Sequence, residues 1–186
     1  KEATEKKILR NVFRHGDAWF NTGDLLKTVD VGFAMGLPHY QFVDRVGDTF
    51  RWKSENVSTN EVGEIINSHP QVAFCNVYGV EIPRADGRAG MAALALAEDV
   101  EQLDIASFSA HVCSSLPAYA RPVFLRIQRE LDTTGTFKLV KGELRNQGYD
   151  LEQVKDTVYV MKPGASQYEL LDAAYAAKIR AGEGGF

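Results

Sequence analysis

The chain has 186 residues, 45% of them hydrophobic and 25% charged, with a formal net charge of -4 and a pI near 5.6. This is the make-up of a soluble globular chain, long enough for one domain or for a small domain with a piece of another. The acidic balance argues against nucleic acid as a partner, and no apolar run reaches the roughly 20 residues that span a bilayer.

In chain order, residues 1–18 read as a charged helix or linker end. Their "KEATEKKILRNVF" is basic but has no apolar core behind it, so it is not expected to be a signal peptide. "AWFNTGDLLKTV" (18–29) reads as a turn entering a strand. "VGFAMGLPHYQFVDR" (31–45) reads as a turn and then a strand with aromatic alternation at Tyr40 and Phe42, and "DTFRW" as a further strand. This β-rich opening lacks a helix to cover it.

From Asn56 the pattern changes. Ser58 stands three residues before Glu61, a capping-box signature, and Val62, Ile65 and Ile66 form a helical stripe that ends before Pro70. "VAFCNVYGVEI" (72–82) and "MAALALA" (91–97) are strands joined by the loop "PRADGRAG". Residues 104–116 are a helix capped by Asp104, with Ile105, Phe108, Val112 and Leu116 on one face. "VFLRIQ" (123–128) is a strand, "FKLVKGELRNQG" (137–148) starts a helix closed by Gly148, and "SQYELLDAAYAAKIRAG" is a last amphipathic helix. The order from about residue 45 is β-α-β-β-α-β-α, a small mixed sheet flanked by helices, hence an α+β fold.

The two cysteines, Cys75 and Cys113, lie far apart in apolar surroundings and are expected to be buried free thiols in a reducing compartment. The four histidines are scattered, and no metal-ligand spacing is found.

Three motifs carry chemistry. In "NTGD" (21–24), Asp24 has two carboxylate oxygens that can accept from vicinal hydroxyls, although a plain turn explains the same residues. In "DRVGDTFRWKSEN", Gly47 can absorb a large backbone change, and Arg45 is either an ion-pair partner of Asp48 or a donor to a ligand oxygen. The competing reading is an ordinary hairpin turn. In "TTGTFKLVKGELR" (133–145), Lys138 follows a glycine loop and can reach oxyanions at a phosphoryl centre, while Lys141 and Arg145 have the spacing of a solvated helix face.

Taken in this order, the motifs resemble the C-terminal third of the adenylate-forming superfamily, which holds acyl-CoA synthetases, peptide-synthetase adenylation domains and firefly luciferase. The closer resemblance is to the fatty acid transport protein / very-long-chain acyl-CoA synthetase family. It rests on "GDTFRWKSENVSTNEV", "VYGVEIPRADGRAGMAAL", "TGTFKLVKGELRNQGYD" and the tail "LLDAAYAAKIRAGEGGF", and so covers nearly the whole chain.

The resemblance implies that residues 1–44 are the C-terminal edge of a large AMP-binding domain and residues 45–186 a C-terminal lid with a tail helix. Asp24 and Arg45 would bind the ribose of ATP or AMP, and Lys138 would contact the acyl carboxylate and α-phosphate. Gly47, with Asp48 beside it, would be the hinge, and Ser54 and Glu55 are candidates for contact with coenzyme A. Two departures stand out. Thr136 and Phe137 separate Lys138 from the glycine, and Ser54 replaces a usual glycine. The phosphate loop, the acyl pocket and the Mg2+-binding acid are absent, so the chain is expected to be an inactive fragment of an AMP-forming ligase for long or very long chain fatty acids.

Its expected partners are fatty acid, ATP, coenzyme A and the missing N-terminal domain, with self-association of the fragment allowed. Its expected location is cytoplasmic, with peripheral membrane attachment left open. The alternatives are a ligase for a carnitine-, bile-acid- or aryl-acid-type substrate, or a lipid-uptake or interaction module without catalysis.

Overall fold

The computed structural model describes residues 5–33, 36–128 and 141–186. The chain divides into two compact units, Lys1–Gly47 and Asp48–Phe186.

The first unit is built from two hairpins. β1 (Ile8–Arg10) pairs antiparallel with β2 (Ala18–Phe20), where a charged helix or linker was expected. The turn between them explains the difference. The Asp17 carboxylate accepts from the backbone N–H groups of Val12, Phe13 and Arg14 and from the Trp19 indole. With the indole as the largest cause, these donors hold the Asp17 carboxyl down at about 2. A loop nucleated by a single carboxylate leaves no periodic signal in the sequence. β3 (Asp24–Val29) pairs antiparallel with β4 (His39–Arg45), as the alternation at Tyr40 and Phe42 predicts. No apolar side chain among the described residues of this unit is buried.

The second unit is the α+β body. β5 (Phe50–Trp52) and β6 (Glu55–Val57) form a tight hairpin. α1 (Thr59–Asn67) follows, and the Ser58 hydroxyl accepts from Glu61 N at 3.2 Å, as the capping box predicts. β7 (Val72–Val80) and β8 (Ala89–Leu96) pair antiparallel. α2 (Ile105–Ser115), capped by Asp104, then crosses to β9 (Phe124–Gln128), which runs parallel to β8. α3 (Gly142–Gln147), β10 (Thr157–Val160), β11 (Glu169–Leu170) and α4 (Ala173–Arg180) complete the unit.

The five-stranded sheet has the order β11-β10-β9-β8-β7. β8 is an interior strand, flanked by β9 and β7, and residues 89–95 are buried without a break. That explains why "AGMAALAL" is a continuous apolar run and not an alternating one: both faces of the strand are covered. α1 and α2 supply Val62, Ile66, Phe108 and Val112 to the core. The β5–β6 hairpin docks on the β7–β8 turn through a bridge between Trp52 and Gly87. Gly87 is required there, since a Cβ would stand 2.1 Å from the Arg51 carbonyl oxygen.

Two strands had no sequence assignment: β6 and β10. The tail is also corrected. Its first residues form the edge strand β11, and the helix begins only after Asp172, whose side chain accepts from Tyr175 N at 2.7 Å. The two cysteines are free, Cys75 buried and Cys113 only half-buried, so the expected burial holds for one of them. Burial pushes the Cys75 thiol up to about 12.

Candidate functional site

Asp24 and Arg45 come together inside the first unit. Asp24 opens β3, Arg45 closes β4, and the two are direct partners in the ladder. The turn before Asp24 is fixed by its own side chains: Asn21 Oδ1 accepts from Gly23 N at 2.9 Å, and Thr22 Oγ1 accepts from Asp24 N at 3.1 Å. Arg45 Nε lies 3.5 Å from Asp24 Oδ1, an ion pair between half-exposed groups. Oδ1 is shielded from water and accepts no hydrogen bond among the described residues. That oxygen is therefore under-satisfied, with only the ion pair to Arg45 beside it. The guanidinium beside it is 56% exposed and keeps donor directions open to a ligand oxygen.

Gly47 is the last residue of the first unit and Asp48 the first of the second. Gly47 does not occupy the left-handed region. Asp48 is engaged elsewhere than the sequence suggested. Its carboxylate pairs with Arg145 and Lys141, at 3.1 and 3.3 Å, while Arg45 pairs with Asp24. Lys141 and Arg145 are thus not a solvated face. Their side chains are 21% and 28% exposed and turn inward onto Asp48. Their i, i+4 spacing was the only available signal, and nothing in it points to a residue 97 positions upstream.

Ser54 and Glu55 sit in the β5–β6 hairpin, both exposed. Lys53 and Ser54 form its two-residue turn with φ of 49° and 69°. Both central residues are left-handed, the conformation for which glycine is normally chosen. The serine at position 54 therefore occupies a glycine-type backbone. Lys53 Nζ lies over the Trp52 ring at 5.5 Å from its centroid, which fixes the turn's polar edge. Lys138, with Thr136 and Phe137, lies outside the described residues. Among the described residues there is no group of three or more His, Cys, Asp or Glu side chains able to hold a metal ion. Nor is any helix long and apolar enough to cross a membrane.

Comparison with known proteins gives the fold its family. Residues 61–138 match the AMP-binding enzyme C-terminal domain. The chain is 45% identical over 181 residues to the human long-chain fatty acid transport protein 3, covering 97% of this chain and 26% of that protein. It is equally 45% identical over 180 residues to the medium/long-chain-fatty-acid–CoA ligase FadD6 of Mycobacterium tuberculosis, covering 97% of this chain and 29% of that one. Among solved structures it resembles the O-succinylbenzoate coenzyme A synthetase of Bacillus subtilis in complex with AMP, with a TM-score of 0.57 and 26% identity. That match covers 80% of this chain and 26% of the synthetase. The chain spans about a quarter of the length of the relatives it matches.

Proposed function

Because this chain carries the C-terminal domain of the AMP-binding enzymes and belongs with the fatty acid transport protein / very-long-chain acyl-CoA synthetase family, we propose that it is the C-terminal portion of an ATP-dependent, AMP-forming fatty acyl-CoA ligase. The observation that carries this reading is its likeness, along nearly all of its length, to a protein named a medium/long-chain-fatty-acid–CoA ligase. In this reading residues 1–44 edge a large AMP-binding domain, and residues 45–186 are a lid.

The reaction has two halves. A fatty carboxylate attacks the α-phosphorus of ATP, forming an acyl-adenylate and releasing pyrophosphate. Coenzyme A thiol then attacks the acyl carbonyl, the C–O bond to AMP breaks, and a thioester forms. Asp24 accepts from the ribose hydroxyls and Arg45 donates to the same sugar, a reading supported by their pairing across the ends of β3 and β4. Lys138 neutralises charge on the carboxylate and α-phosphate oxygens in the first half. Gly47 is the pivot by which the lid turns between the halves, supported by the division of the chain at that residue. The turn at Ser54, with Glu55, then faces the pantetheine arm.

The test is Lys138→Ala in the assembled ligase. Adenylation, read as ATP–pyrophosphate exchange, should fall by on the order of 10²–10³. Thioester formation from supplied acyl-adenylate should be spared. Equal loss of both halves overturns the assigned role. An aryl acid as substrate is the second reading, supported by the resemblance to the O-succinylbenzoate enzyme. Exchange measured with a fatty acid against an aryl acid separates the two.

A further inference from the structure

Asp48 opens the second unit with both carboxylate oxygens occupied. Oδ1 accepts from Arg145 Nη2 at 3.1 Å, and Oδ2 lies 3.3 Å from Lys141 Nζ. Lys141 Nζ also donates to Thr59 Oγ1 at 2.8 Å. One carboxylate thus ties the point where the chain enters the unit to the first residue of α1 and the start of α3. The three charged side chains are between 21% and 29% exposed, so water and salt screen these pairs less than a surface bridge.

The clamp has a consequence for backbone rotation. The chain has only two soft dihedrals per residue. Rotation about the Cα–C bond of Asp48, with the second unit held still, swings the Asp48 side chain with the upstream chain and pulls it off both cations. Rotation about its N–Cα bond, or about either torsion of Gly47, leaves the carboxylate in place. We propose that the clamp makes Asp48 the first rigid residue of the second unit and confines reorientation of the two units to Gly47 and the N–Cα bond of Asp48. Lys141 and Arg145 are then positioning residues, which hold the pivot and do not touch substrate. This rests on the reading above that the two units reorient.

The experiment uses the chain itself, without nucleotide or acyl substrate, so its failure is distinct from failure of the ligase reading. Spin labels are placed on cysteines at the exposed positions Thr28 and Glu98, one in each unit, in a Cys113→Ser background. The distribution of distances between the labels is measured by pulsed electron resonance, beside the thermal midpoint. Asp48→Asn should broaden the distribution, and so should Lys141→Met combined with Arg145→Gln. Lys141→Arg should leave it as in the parent chain. Gly47→Pro, which locks one of the permitted torsions, should narrow it further. A lower midpoint with unchanged width in Asp48→Asn and in the double variant means that the cluster only stabilises the unit, and overturns the proposal. A width untouched by Gly47→Pro places the pivot elsewhere and overturns it too.

Discussion

Ser54 shows what a single side chain costs in a turn that asks for none. Its φ of 69° lies in the left-handed region, where a residue with a Cβ is disfavoured by about 1–2 kcal/mol. Glycine removes that strain but adds roughly 0.5–1 kcal/mol of unfolded-state entropy to be lost. The balance favours Ser54→Gly by about 0.5 kcal/mol, read as a higher urea midpoint with an unchanged slope. A lower midpoint would mean that the serine hydroxyl contributes more than its backbone costs. Asp24 and Asp48 make the complementary point about carboxylates. Both stand beside an arginine, yet among the described residues Asp24 Oδ1 has only a 3.5 Å ion pair and no hydrogen bond, while Asp48 has both oxygens engaged.

The joint between α1 and α2 depends on a buried imidazole. His69 is 3% exposed and meets Phe108 and His111 edge-on, with ring centroids 5.3 and 5.4 Å away. Its Nδ1 accepts from Gln71 N, which leaves the proton on Nε2 to be donated to Ser107 Oγ at 3.3 Å. Protonation would set a proton against the Gln71 N–H and a charge in a dry site. Burial first, and then His111, therefore lower the His69 pKa from its ordinary 6.5, opposed by Asp104 at the start of α2. The sign follows. The folded state binds this proton less well than the unfolded state, so stability is whole above pH 6.5 and falls as pH drops through it toward the lowered value. Urea midpoints at pH 7.5, 6.5 and 5.5 should decline, and His69→Gln should flatten the decline. An equal slope in the variant would remove His69 as the cause.

The two units differ in how they are held. Between residues 89 and 95 the interior strand β8 is buried without interruption, whereas the described residues of the first unit bury no apolar side chain. Leu9, Phe13, Trp19, Phe20, Leu26 and Tyr40 are all exposed. Backbone hydrogen bonds over such a surface open locally, at a cost well below global unfolding. Amide exchange should therefore be slowest in β8 and β9 and faster by several decades, on the order of 10³, in β1 to β4. Similar protection in both units would show that the hairpins are covered by something other than their own side chains.

Local chemistry and periodicity sufficed for much of this protein. Capping at Ser58 and Asp104, the helical stripes behind them, the alternation around Tyr40 and the continuous apolar run of β8 each contain their own explanation within a few residues. So did the motif order that carries the family resemblance. Other features were settled only by contacts between distant segments. β10 and β11 are short strands whose identity comes from the neighbour they pair with, and the first hairpin hangs on one carboxylate folded back over its own turn. The partners of Asp48 lie nearly a hundred residues away, so charge spacing could place Lys141 and Arg145 on a common helix face but not say what that face meets. Periodicity reports which side of an element is buried. Which acid a half-buried cation finds there is decided by the fold, because the energy of an ion pair depends on distance and burial and not on separation along the chain.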